Sequence, residues 1–457
     1  MAKQTFWALL VLCALSSVLV SCVPKHSATR EDRLKWNLLT LTNGYQQFGG
    51  KNSKWDADAI QALTDLGRTR VASFDEALVL SDLAGDAAET AVSAGCDDPM
   101  VQYVKTRYGP AVKARPLGER QEAYRVAASN LQNSAYAPFQ KFHANLAAAE
   151  LIYVSRNTNV WPLVRQLRGD AVSDLNLAFQ DPTLPESEAY TAAAALFELL
   201  QHNLYQLTNA YCQLETTLTG TGARPALAAM VKADFYLKYA WLARGHGWAN
   251  QVTPEAWQLF RERLGEAENA LNRGWSLNPY DAQIPTVMIS ICLGQEKPRP
   301  EMEKWFARAM QLDPDNYPAA RAKLIYLLPQ WYGSRDDLLA FGRQCVASTN
   351  WGGRVPLILA DAHSQFASTL SGTDWQDYWA QPDVWPDIQA SYERYAQCAP
   401  DATSFRYPYA LYAFRCRQWQ AFNDQLKIIR QNDPAINANY FGGAEAFSNM
   451  LAQASSH

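Results

Sequence analysis

The chain has 457 residues, 48% of them hydrophobic, with 41 basic and 45 acidic side chains and a net charge of −4. That length implies two domains or one long solenoid, with enough apolar material for a large core. No block of basic residues is present, so composition argues against a nucleic-acid-binding protein.

In chain order, the first feature is N-terminal. MAKQT is followed by a continuous apolar run, Phe6 to Val20, which ends in Leu19-Val20-Ser21-Cys22. A charged start, a short apolar stretch and a small residue before the cut define a secretory signal. The run is shorter than the ~20 residues that a spanning helix needs. Its Leu-x-Ser-Cys ending is similar to the bacterial lipobox. The resemblance implies cleavage before Cys22, diacylation of that thiol and a membrane-anchored mature protein; an ordinary signal peptide or a short membrane anchor is the plainer alternative. Val23 after the cysteine implies, by similarity to enterobacterial sorting, the outer membrane, with the protein facing the periplasm or the cell surface. The expected segments are a signal peptide over 1–21 and a polar tether over 22–35. Loss of the signal removes Lys3 from the 41 basic residues and no acid, which takes the net charge from −4 to −5.

Nearly everything beyond reads as helix. Ser73-Phe-Asp-Glu76 is a capping box that opens a helix to about Ala94. Pro138 to Ser155 has helical apolar spacing through Phe142, Leu146 and Leu151. Ser187 is placed to cap a long helix from Glu188 to about Glu215. Thr253-Pro254-Glu255 supplies a cap, a first-turn proline and a first-turn acid. No strict alternation argues for a sheet, so the expected class is all-α. Two stretches rich in turn formers, 180–187 and 217–225, interrupt the helices. The main boundary is expected at the second, between an irregular N-terminal helical region over 36–220 and a repeat-bearing region over 224–457.

Six cysteines follow Cys22: Cys96, Cys212, Cys292, Cys345, Cys398 and Cys416. Their wide, irregular spacing lacks a CxxC, so neither a zinc site nor a redox motif is expected. Cys398 should end one helix and Cys416 lie near the far end of the next, more than ~10 Å apart and too far to bridge. Buried free thiols are the expectation for most of the six.

The repeat rests on ALNRGWSLNPYDA (Ala270 to Ala282), which overlays WFARAMQLDPDNY (Trp305 to Tyr317) with an offset of 35 residues. Leu271, Gly274 and Pro279 land on Phe306, Ala309 and Pro314, and Ala267 lands on Met302. Small or apolar residues recur on one helix face, and a proline that cannot continue the helix follows at a fixed distance. Nearer the C-terminus, Pro400 and Pro434 lie 34 residues apart, with two short helices between them that join near Arg417 and Gln418. This period and layout resemble the tetratricopeptide repeat. The likeness is good over 265–330, fair over 386–435 and weak elsewhere, and Ile289 and Leu324 stand where the family often has Gly. LDPDNY and QWYGS are also similar to strings in uncharacterised bacterial repeat proteins, which brings no activity with it. The resemblance implies hairpins stacked as a solenoid, with a concave groove lined by the first helix of each repeat. Groove positions would include Gln283, Thr286, Ser290 and Arg321, then Ile325, Tyr407 and Leu411. Only Arg321 fits the family's clamp for a peptide C-terminus, so that ligand is not implied.

Motifs for chemistry are sparse. Gly220-Thr-Gly222 lacks the Gly-Lys-Ser/Thr ending of a phosphate loop and reads as a linker. Glu198 and His202 are spaced to face each other on one helix, but no third ligand or HExxH accompanies them. Asp361 and His363, two apart in a helix, fall on different faces. His246 lies in a glycine-flanked turn. No nucleophile motif, metal site or cofactor site is readable. Fifteen tryptophans are more informative. Trp331 and Tyr332, Trp351, and the group Trp375, Tyr378, Trp379 and Trp385 sit near turns, where a rigid aromatic offers large contact area at low entropic cost. The alternative use is as wedges between helix pairs. The sequence therefore reads as a lipid-anchored envelope scaffold, not an enzyme, that holds a protein or peptide partner in the groove. Its rivals are a glycan-binding envelope protein that uses Trp331, Trp351 or Trp379, and an enzyme built around His246 or around Glu198 and His202.

Overall fold

The computed structural model describes residues 28–456 apart from 155–157, 221–223, 246, 248, 401 and 433–435. Cys22, the signal segment, His246 and Pro434 lie outside the described residues. Among those described the protein is all-α, with twenty-two α-helices and no strand. The first ten are α1 (Arg30–Phe48), α2 (Asp56–Val71), α3 (Phe74–Ser93), α4 (Pro99–Tyr108), α5 (Pro110–Lys113), α6 (Leu117–Gln132), α7 (Pro138–Tyr153), α8 (Trp161–Ala178), α9 (Glu186–Leu200) and α10 (Leu204–Thr219). There follow α11 (Pro225–Arg244), α12 (Pro254–Leu277), α13 (Gln283–Gly294), α14 (Arg299–Leu312), α15 (Tyr317–Tyr326) and α16 (Arg335–Ala347). The last are α17 (Ile358–Ala367), α18 (Gly372–Trp379), α19 (Val384–Cys398), α20 (Arg406–Arg415), α21 (Trp419–Asn432) and α22 (Ala444–Ser455).

Local chemistry sets most helix starts. Ser73 and Glu76 form the expected capping box of α3, and the Thr253 side chain accepts from the Ala256 N–H at the start of α12. Two expectations need correction. Residues 30–35 are not tether, because Thr29 and Asp32 form a second capping box that starts α1 at Arg30. The long helix expected over 188–215 is two, α9 and α10. The Asn203 side chain accepts from the Gln206 N–H and starts a new helix there, so three residues part the two.

In the second half, helix ends fall at regular distances. The C-caps of α12, α14 and α16 are Asn278, Asp313 and Ser348, each 35 residues after the last. Asn278 and Asp313 have nearly the same extended backbone (φ −144°, ψ 82° and φ −142°, ψ 97°), and each N–H bonds the carbonyl four residues back. Ala399 repeats this before Pro400 (φ −137°, ψ 69°). A proline ring disfavours helical backbone at the residue before it, which favours a helix end there. Ala267, Leu271 and Gly274 are buried, as are their counterparts Met302, Phe306 and Ala309. The expected junction at Arg417 is present: its φ of +58° is left-handed, and the Gln418 N–H reaches back to the Ala413 carbonyl.

The largest apolar cluster runs from Trp36 to Ala362 and so crosses 220–224 without interruption. An N-terminal cluster from Leu41 to Leu167 and two C-terminal ones, Leu357 to Cys416 and Tyr407 to Ala454, complete the core. All six described cysteines are free thiols; Cys96, Cys292, Cys345 and Cys416 are buried. No helix among the described residues is long and apolar enough to cross a membrane.

Helices α16 and α17 meet closely: a Cβ on Gly342 would lie 2.7 Å from the Leu359 Cα. Backbone cannot yield as a side-chain tip can. Gly342→Ala should therefore cost about 1–3 kcal/mol, read as a lower urea midpoint. Gly265→Ala, mid-helix with open space around its Cβ, should gain about 0.4–1 kcal/mol. Equal shifts in the two variants would contradict this packing.

Candidate functional site

The helices that follow the caps, α13, α15 and α17, are joined by polar side chains on one face. Asn316 caps α15 by accepting from the Ala319 N–H at 2.9 Å, and its Nδ2 donates to Thr286 Oγ1 on α13, also at 2.9 Å. Tyr317 OH donates to Asp361 Oδ2 on α17 at 2.5 Å. Burial raises the Asp361 pKa; the Tyr317 hydrogen bond and then the charges of Arg321 and Arg354 oppose that. Arg354 lies 4.6 Å from the Tyr317 ring centre and 4.4 Å from that of Phe74, at the start of α3. Nearby, Ser404 Oγ donates to Asp75 Oδ1 at 3.3 Å. At the other end Gln283 Nε2 meets Thr191 Oγ1 on α9 at 3.5 Å. The N-terminal helices thus touch this face at both ends.

A second polar cluster lies among the N-terminal helices themselves. Arg70, Arg107, His143 and Glu188 line a cavity of 240 Å³, together with Glu150 and the same Thr191. Arg70 donates only to amides, Asn37 Oδ1 at 3.2 Å and Gln140 Oε1 at 2.7 Å. Burial pulls its guanidinium below the usual range. Arg107 Nε donates to Tyr108 OH at 3.1 Å. Glu188 is already paired with Arg33 at 2.5 Å. His143 sits edge-on to Phe139 and Phe142, and its buried Nε2 has no partner. Burial first, then the charges of Arg70 and Arg107, hold its pKa well below 6.5. The imidazole is neutral at pH 7.

The residues nominated from sequence scatter. Arg321 is exposed on α15, while Gln283 and Ser290 are half-buried on α13. Tyr407 does not line a groove: it is buried, stacked on Tyr440 at 4.5 Å, and its hydroxyl accepts from the Asn437 N–H. Trp379 is likewise a correction. It is 1% exposed and packs on Tyr378 and Tyr412, so it has no face to present. Trp331 packs edge-on to Trp241, and Trp351 edge-on to Phe306. Tyr332 keeps partial exposure, with its hydroxyl donating to the Leu293 carbonyl at 3.1 Å. Most of these aromatics are wedges between helices.

The histidine constellations also come apart. His202 lies beyond the end of α9, and Glu198 pairs instead with Lys238 at 3.1 Å. Asp361 and His363 point to different partners, as their spacing requires; the two His363 ring nitrogens lie 2.7 Å from Tyr378 OH and 3.1 Å from Asp387 Oδ2. Among the described residues no group of three or more His, Cys, Asp or Glu could hold a metal. Sequence reasoning missed Arg70, Arg107 and His143, which lie on α2, α4 and α7 and carry no motif. No protein-family model matches the chain, and no curated protein matches it significantly.

A depressed histidine pKa has a definite sign in stability. Above about pH 6.5 neither the folded nor the unfolded state binds the proton. Below it the unfolded chain does and the folded one does not, so stability falls with pH by up to about 1.4 kcal/mol per unit. Urea midpoints of the wild type and His143→Gln should run parallel above pH 7.5 and diverge toward pH 5, the wild type falling faster. Parallel curves throughout would contradict a neutral, buried His143.

Proposed function

We propose that the protein is a lipid-anchored scaffold of the bacterial envelope that holds an acidic peptide segment of a partner protein in a polar channel between the face of α13, α15 and α17 and the N-terminal helices. The second-half hairpins are read as a tetratricopeptide-like solenoid; the 35-residue recurrence of their caps supports this. The observation that carries the reading is the channel's composition. Its inner face presents amides, hydroxyls and the exposed Arg321, and on its far wall Arg70 and Arg107 have no carboxylate partner within bonding distance among the described residues. Guanidinium groups left this way favour carboxylates that arrive from outside. Nothing in the channel arranges a nucleophile with a base, so the reading is of binding and not catalysis. Acylation of Cys22 would confine the channel to the membrane surface and raise its effective concentration there.

A photo-crosslinking residue at position 321 or 283, in cells, should capture one defined protein, whereas the same residue at the outward-facing Lys304 of α14 should not. Arg321→Glu should weaken capture at least about tenfold, a loss of some 1.4 kcal/mol. Mass spectrometry of the N-terminal peptide should show a diacylated Cys22, and Cys22→Ser should release the protein from membranes. An unmodified Cys22 sinks the anchor alone; equal crosslinking at 304 and 321 sinks the channel.

A further inference from the structure

A second cleft, of 720 Å³, opens between α8 and α10 at the end of α9. Its volume falls within the roughly 300–1,000 Å³ of small-ligand sites. Helical spacing builds each wall: Trp161, Arg165, Arg168 and Gly169 recur on one face of α8, and Tyr205, Asn209 and Gln213 on one face of α10. The floor is apolar, with Val164, Val172 and Leu200.

Three features distinguish this cleft from ordinary surface. The first is its rim. Tyr205 is 78% exposed, Trp161 51% and Tyr153 41%. Most other aromatics in the chain are wedged between helices, so three uncovered rings around one cleft are unusual. The second is Arg168. Only 8% exposed, it donates from one terminal nitrogen to Gln206 Oε1 at 2.9 Å and lies 4.7 Å over the Tyr153 ring. Its Nε is buried without a partner, and among the described residues no carboxylate pairs with it. A buried guanidinium without a counter-ion is costly unless a ligand supplies one. The third is the composition of the walls. Asn203, Gln206, Asn209 and Gln213 can each donate and accept, Arg165 adds positive charge, and among the described residues no carboxylate lines the cleft.

Pyranose rings offer a C–H face that stacks on an aromatic ring and hydroxyls that both donate and accept. Uncovered rings plus side-chain amides suit that chemistry, and the unpaired arginine suits an attached carboxylate. We propose that this cleft binds an acidic oligosaccharide, whose sugar rings stack on Trp161 and Tyr205 while a carboxylate is taken by Arg168. The assignment is independent of the channel and uses none of the tryptophans nominated from sequence.

The test is titration of the full mature chain with trigalacturonate and with 3′-sialyllactose, read by tryptophan fluorescence and calorimetry, with maltotriose as the neutral control. At least one acidic sugar should bind about tenfold or more tightly than maltotriose. Trp161→Ala should weaken that binding about tenfold or more. Gly169→Leu provides a second arm: a Cβ at Gly169 meets nothing within 4 Å, so the variant should fold normally and yet block the cleft. Arg168→Gln should bring acidic and neutral sugars to similar affinity. Failure of both acidic sugars to bind overturns the proposal. So does binding that survives in the folded Gly169→Leu variant, equal affinity for maltotriose, or tighter binding of a nucleoside monophosphate.

Discussion

A restriction on the backbone sets the geometry of the second half. Asn278, Asp313 and Ala399 each precede a proline, which disfavours helical backbone at all three. Each helix therefore ends in the same extended conformation, and the next starts at the same place relative to it. Ser348 keeps the 35-residue step with no proline after it and with different torsions (φ −68°, ψ 126°). Packing, not proline alone, fixes helix length there. No single hairpin covers its own apolar face, so each must lie on its neighbours. A helix of unequal length would place its seam out of register with theirs.

The same step explains the fate of the aromatics. Phe306 and Phe341 lie 35 residues apart, and the buried Lys323 ammonium sits 4.3 Å from both ring centres. Burial lowers the Lys323 pKa and its bond to Glu303, at 2.6 Å, opposes that. A cation can be buried there because two rings and a carboxylate replace its water. Trp275 against Trp305, and Trp351 against Phe306, fill other gaps between successive helices. Most of the large rings serve as wedges between helices, which leaves few uncovered. The polar links from Thr286 to Asn316 and from Tyr317 to Asp361 do the complementary work and align one face for solvent and ligand.

Local features were legible in the sequence; those that depend on distant neighbours were not. The Ser73–Glu76 box, the Thr253 cap and the recurring prolines act over a few residues, so their spacing alone identified them. The Thr29–Asp32 box was passed over because aspartate stands where glutamate usually closes the pair. The break at Asn203 was missed because no glycine or proline marks it. Side-chain exposure was the largest failure. Trp379 stands next to a turn yet is buried, since helices from elsewhere in the chain cover it, whereas Trp161 was not singled out and is uncovered. Arg354 and Phe74 touch across 280 positions, and Arg70, Arg107 and His143 converge from three helices. No periodicity encodes such meetings.

The position of the tether bears on both proposed sites. Ala28, the first described residue, lines a cleft with Gly220 and Asn278, at the junction of the two halves. If Cys22 is acylated as proposed, six residue steps of at most about 3.6 Å separate the lipid from that junction, or some 20 Å. The junction then faces the membrane. The cleft of α8 and α10 lies along the same α10 whose far end, Thr216 to Leu218, borders the junction. From Tyr205 to Thr216 is eleven residues, about 17 Å of helix. The aromatic cleft would then open within a few tens of ångströms of the membrane, where a surface glycan is within reach. The proposed channel lies between the face of α13, α15 and α17 and the N-terminal helices. Loss of the tether would therefore leave the channel's chemistry intact and remove only its proximity to the membrane.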